Sequence, residues 1–266
     1  MFHPFRVSVR VRFTLSVALL CIASAAAGTP GVRLSWNHCA GEGTGAHNAV
    51  FACASNLGSH TMIGSFVLDS DFPTVIGVEV FIDLATASAA LPPWWDLRGG
   101  SGCRSTSLGV NFVPEASNAV CQDWSAGLAQ GGLATYCTIS GPCFDHPAIA
   151  NGARIKLIAA VPQNDAKDLV AGTEYFAFNV VLNHARTLGV GNCAGCEIPA
   201  CIGLTHINVV NRGATEQRLI TTPYEPGGNA LSWQGGGSLT VGPGMSCPAV
   251  TANRSSTWGA VKSLYR

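Results

Sequence analysis

Val78-Glu79-Val80-Phe81-Ile82-Asp83-Leu84 sets Val78, Val80, Ile82 and Leu84 on one side of an extended chain and Glu79 and Asp83 on the other. A period of two is the pattern of a strand that is buried on one face and wet on the other. Antiparallel sheets accommodate such strands, because they need cover on one side only. Arg154-Ile-Lys-Leu-Ile-Ala-Ala-Val161 repeats the pattern, with Ile155, Leu157, Ala159 and Val161 inward and Arg154 and Lys156 outward. Tyr175–Leu182 and Cys201–Val210 follow the same theme. Shorter runs lie at Val32–Trp36, Ala49–Ala54, Thr61–Leu68, Leu108–Val113, Gly132–Ile139, Arg218–Thr222 and Ala230–Trp233. Clusters of Gly, Pro, Asn, Asp and Ser separate them, as turns require. No window before the C-terminal tail keeps a helical apolar period. The expected fold is therefore all-β, an antiparallel β-sandwich spanning residues 28–212.

The flanks differ from this centre. Residues 1–27 combine Arg6, Arg10 and Arg12 with an apolar run and a small-residue ending at Ala25-Ala26-Ala27, the signature of a signal peptide. The run is too short for a membrane-spanning helix, and no later stretch is long enough either. Residues 213–266 form a Gly- and Pro-rich extension, predicted to be irregular around a short hairpin. At its end Trp258, Val261, Leu264 and Tyr265 share one helical face behind Ser255 or Ser256 as N-cap, predicting a short terminal helix that needs a surface to pack on.

Composition bounds the function. The chain has 266 residues, of which 11% are charged and 47% hydrophobic, with 31 glycines. That excludes a disordered segment, which would be poor in apolar residues and highly charged. Removing the three leader arginines leaves 12 basic against 15 acidic residues, a formal net charge of −3. No basic cluster marks a nucleic-acid surface.

Ten cysteines follow the leader: Cys39, Cys53, Cys103, Cys121, Cys137, Cys143, Cys193, Cys196, Cys201 and Cys247. An even number in an exported chain reads as a disulfide framework. Nearness along the chain favours Cys39–Cys53, Cys103–Cys121 and Cys137–Cys143, with two bridges shared among the last four. Cys193-Ala-Gly-Cys196 lacks the following His of a haem site, the second knuckle of a zinc site and the adjoining helix of a redox motif.

Gly77-Val-Glu-Val-Phe-Ile-Asp-Leu84 and Gly172-Thr-Glu-Tyr-Phe-Ala-Phe-Asn-Val180 resemble strands of bacterial cohesin-type modules. The resemblance implies a cohesin-like or immunoglobulin-like sandwich. The cysteines depart from ordinary cohesins, so dockerin binding is not carried over. The Cys193–Cys201 segment and the ending Trp258-Gly-Ala-Val-Lys-Ser-Leu-Tyr-Arg266 also look like uncharacterised secreted proteins of environmental bacteria, in which the tail would be a sorting or anchoring signal.

Markers of catalysis are missing: there is no Gly-x-Ser-x-Gly elbow, no His-Glu-x-x-His and no phosphate-cradling loop. His38, His47 and His60 match no metal-ligand spacing, and Asp145, His146 and His184 match no acid–base motif. Asp69, Asp71 and Asp83 flank strands and offer hard oxygen ligands for a calcium ion, or simply serve turns and strand edges. Leu91-Pro-Pro-Trp94-Trp95-Asp96 gives the binding candidates Trp94 and Trp95, either with one indole buried and its neighbour exposed to a sugar or an interface, or with both packed in the core. The expected function is a non-catalytic exported structural or interaction protein whose partner is another extracellular protein or a glycan. A carbohydrate-binding or calcium-dependent adhesive module is the alternative, and a secreted hydrolase with an unrecognised site is a further one.

Overall fold

The computed structural model describes residues 29–39, 46–115, 121–138, 150–236, 239–241 and 245–247. The strands are β1 (Gly31–Trp36), β2 (Asn48–Ala49), β3 (Ser59–Val67), β4 (Phe72–Thr86), β5 (Leu108–Asn111), β6 (Gln122–Asp123), β7 (Gln130–Thr138) and β8 (Gly152–Ala160). They continue as β9 (Lys167–Leu169), β10 (Glu174–Asn183), β11 (Ala200–Asn211), β12 (Gln217–Ile220), β13 (Ala230–Trp233), β14 (Thr240–Val241) and β15 (Met245–Ser246). Among the described residues the only helical turns are three-residue 3-10 segments.

Two sheets carry the fold. A five-stranded sheet runs β1-β3-β10-β5, with β6 alongside β10. An eight-stranded sheet runs β2-β13-β11-β4-β8-β7, with β12 on β11 and β9 on β4. Their facing sides share one core: Leu34, Phe66, Phe178 and Val180 come from the smaller sheet, and Val80, Ile82, Leu157, Ile202 and Leu204 from the larger. The architecture is sandwich-like. The predicted inward residues of β4 and β8 are buried, on β4 together with the outer-face Phe81 and Asp83, and the four strongest alternating runs fall in strands except for Val161, which follows β8.

Two expectations change, and a third falls outside the described residues. Of the run Ala49–Ala54 only Ala49 lies in a strand, at the end of β2; Cys53 has a positive φ of 54° and is bonded to Cys196. The sheet also continues past residue 212, since β12 and β13 both pair with β11. Both runs carry strand signals, but the Gly and Pro residues around them read as an extension, whereas β11 supplies their pairing partner from within the larger sheet. The terminal helix expected at 255–266 lies outside the described residues.

Disulfide pairing departs from nearness along the chain. Cys39 bonds Cys121, Cys53 bonds Cys196, Cys103 bonds Cys193 and Cys201 bonds Cys247. The expected Cys39–Cys53 and Cys103–Cys121 bridges are therefore absent, and of the last four cysteines only Cys201 and Cys247 pair together. Sheet topology rather than chain separation decides which cysteines meet. Cys39 follows β1 and Cys121 precedes β6, and both strands belong to the smaller sheet. Cys137 is also disulfide-bonded; its expected partner Cys143 lies outside the described residues. Such bridges fit an oxidising compartment.

Candidate functional site

Trp94 and Trp95 belong to the core, with exposures of 0% and 1%. The Pro92-Pro93 start gives a 3-10 turn over Pro93–Trp95 in place of the extended chain assumed from the sequence. Successive side chains on such a turn do not alternate between opposite faces, and here both indoles turn inward, T-shaped at 4.8 Å. The surface indole on which a sugar-stacking role for this loop depends is therefore not presented. Trp94 stacks on Trp233 at 5.0 Å, donates from Nε1 to Thr187 Oγ1 at 3.2 Å and carries the Arg104 guanidinium over its ring at 3.7 Å. Arg104 donates to the carbonyls of Trp94, Ala185 and Asn183. Burial lowers its pKa to about 10, which still leaves it charged at neutral pH.

Beside these indoles sits a histidine pair. His184 Nδ1 lies 2.8 Å from the Leu57 carbonyl, which can only accept, so Nδ1 carries the proton and donates. In the neutral pair His184 Nε2 is then an acceptor, and His60 donates to it from Nδ1 at 2.8 Å. Phe51 stacks on His184 at 3.8 Å, and Trp36 and Trp233 flank His60. His47 Nδ1 donates to the Ala230 carbonyl at 3.1 Å. His60 and His184 are thus joined to each other, and no group of three or more His, Cys, Asp or Glu side chains among the described residues is placed to hold a metal. Asp145 and His146 lie outside the described residues.

The three aspartates proposed for calcium do not converge. Asp83 is twelve residues along the chain from Asp71, roughly 40 Å at the rise of an extended strand. Asp69 pairs with Arg218, and Asp71 accepts the Ala171 N–H at 2.8 Å. Asp83, 1% exposed, takes both Nε and an Nη of Arg154 at 2.7 and 2.8 Å. The strand-edge and pairing roles account for all three.

A polar cleft opens on the outer face of the larger sheet. Alternation would make β11 bury Ile202, Leu204 and His206, but a bulge at Thr205 shifts the register between Leu204 and His206. The extra residue turns His206 outward opposite Phe81 and returns Ile207 and Val209 to the core. Thr205 Oγ1 donates to the Phe81 carbonyl at 2.8 Å and so ties the bulge to β4. His206 lies on the Phe81 ring at 4.4 Å and 31°. Burial, then Arg154, holds its imidazole below the ordinary pKa. Next to it on β4 and β8, Lys156 pairs with Glu79.

The opposite wall is the β14–β15 hairpin, clipped to β11 by Cys201–Cys247. Gly203 lets it approach, since a Cβ there would meet Met245 Sδ at 2.2 Å. Between the walls lies a cleft of about 520 Å³, lined by Arg154, His206, Thr221, Asn229, Met245 and Ser246 among others. The size is that of a small-molecule site. Sequence reading missed His206; the available signal was the phase slip from Ile202 and Leu204 to Ile207 and Val209. No family model, curated protein or solved structure matches this chain.

Proposed function

We propose that the protein is an exported, non-catalytic interaction module that binds its partner at the outer face of the eight-stranded sheet. One observation carries this reading: the Thr205 bulge turns a histidine out of the core into a cleft whose two walls are fixed by β-pairing and the Cys201–Cys247 bridge. A preset, rigid cleft loses little conformational freedom on binding. The neighbouring ionisable groups are engaged in pairs, Asp83 with Arg154 and Glu79 with Lys156, which suits recognition better than proton transfer. Export is supported by the disulfides and by the leader-like first 27 residues.

The test is a screen of purified, oxidised protein against glycosidase, esterase and peptidase substrates, with and without chelator. The reading expects no turnover above buffer in any condition. Turnover abolished by His206→Ala would replace it with the hydrolase reading.

A further inference from the structure

We propose that the cleft takes an uncharged, polyhydroxylated ligand, a neutral glycan, recognised by His206, Thr221 and Ser246. The proposal rests on the interaction-module reading and adds to it the ligand's chemistry and the residues that meet it.

Charge excludes the rival ligands. Arg154 is held in two hydrogen bonds by Asp83, and Lys156 by Glu79, so the two pairs cancel beside the cleft. Burial, then Arg154, disfavours the charged form of His206. An ion entering here would give up hydration and find its counter-charge already engaged. A hydroxyl meets the opposite situation. It donates and accepts at once, as do the two nitrogens of a neutral imidazole taken together and the hydroxyls of Thr221 and Ser246. Those three side chains make no hydrogen bond among the described residues, so they have capacity to spare.

The rest of the lining fits the same ligand. Asn229 is fixed by donating Nδ2 to the Leu204 carbonyl at 3.0 Å, which pre-orients its amide at the cleft floor. Pro223 and Met245 add apolar surface for the C–H faces of a sugar ring. A volume of about 520 Å³ lies inside the range that holds small ligands.

Binding to an array carrying neutral, sialylated and sulfated glycans, followed by calorimetry on the best ligand, tests this. Wild type is expected to retain neutral glycans. His206→Ala and Thr221→Ala should each weaken the best one about tenfold or more with the fold intact by circular dichroism. Val190→Ala, at a fully exposed position shortly before Cys193, should change nothing. Retention of acidic glycans only would overturn the ligand class, and unchanged affinity in both cleft variants would overturn the site. Retention of no glycan would overturn the proposal and leave the module reading standing, because that reading does not require the partner to be a glycan.

Discussion

His60 donates its Nδ1 proton to Nε2 of His184 across 2.8 Å, and His184 donates from Nδ1 to the Leu57 carbonyl. The relay needs a lone pair on His184 Nε2, so it is lost when that atom is protonated, whereas His60 donates from Nδ1 in either of its charge states. Its ring neighbours Trp36, Phe51 and Trp233 do not titrate, whereas Arg104 donates to the carbonyls on either side of His184.

Stability should therefore fall in mild acid. Burial, then His184, holds His60 below the ordinary imidazole value of 6.5, and His206 is lowered in the same direction. The folded state binds fewer protons than the unfolded one, so this contribution is whole above that value and declines as pH falls below it. Urea midpoints measured at about pH 7.5 and about pH 5.5 should show the loss, and His60→Phe should shrink it. Equal pH dependence in wild type and variant would remove His60 from the account.

Asp83→Asn should destabilise the protein by about 3 kcal/mol, because it leaves the Arg154 cation largely buried beside a neutral amide. Urea unfolding checks it. The double variant Asp83→Asn with Arg154→Met should recover part of the loss, since it removes the stranded charge.

Trp94→Ala should cost about 3–5 kcal/mol, as expected when a fully enclosed indole leaves a cavity. Trp94→Phe should cost less. Ligand affinity of the remaining folded protein should be unchanged in both, which separates a packing role from a contact role.

Two of these sites show how far the sequence could be read. The inward faces of β4 and β8 were legible because Val78, Val80, Ile82 and Leu84 on one and Ile155, Leu157 and Ala159 on the other recur with a period of two, despite the out-of-phase Phe81 and Ile158. Asp83 and Arg154 were legible as outer-face residues, but the sequence placed them in solvent, whereas Asp83 is 1% exposed; their pairing depends on the β4–β8 register, which alternation alone does not supply. Trp94 and Trp95 stood out by composition, but the sequence left open whether one or both are buried; the 3-10 turn set by the diproline turns both inward. His206 was hidden for the converse reason. One inserted residue reverses its face, and only the phase of the flanking aliphatics records the change. The bridges Cys53–Cys196 and Cys103–Cys193 span 143 and 90 residues, so they follow from topology and not from spacing.

Joint replacement of Cys53 and Cys196 by Ala should lower stability by about 4 kcal/mol, because the bridge closes a long loop of the unfolded chain. Non-reducing peptide mapping of the wild type should recover the Cys53–Cys196 and Cys103–Cys193 cross-linked fragments. Recovery of Cys39–Cys53 instead would contradict the topology.

The central claim, that the protein acts by binding at the His206 cleft, is tested most directly by histidine ring resonances. The chain has seven histidines, and selective ring labelling resolves them during titration with the best-binding neutral oligosaccharide. The ring signals of His206 should move in a saturable way while those of His60 and His184 stay in place. A ligand that binds while His206 remains unmoved, or that shifts the His60–His184 pair instead, would contradict the account.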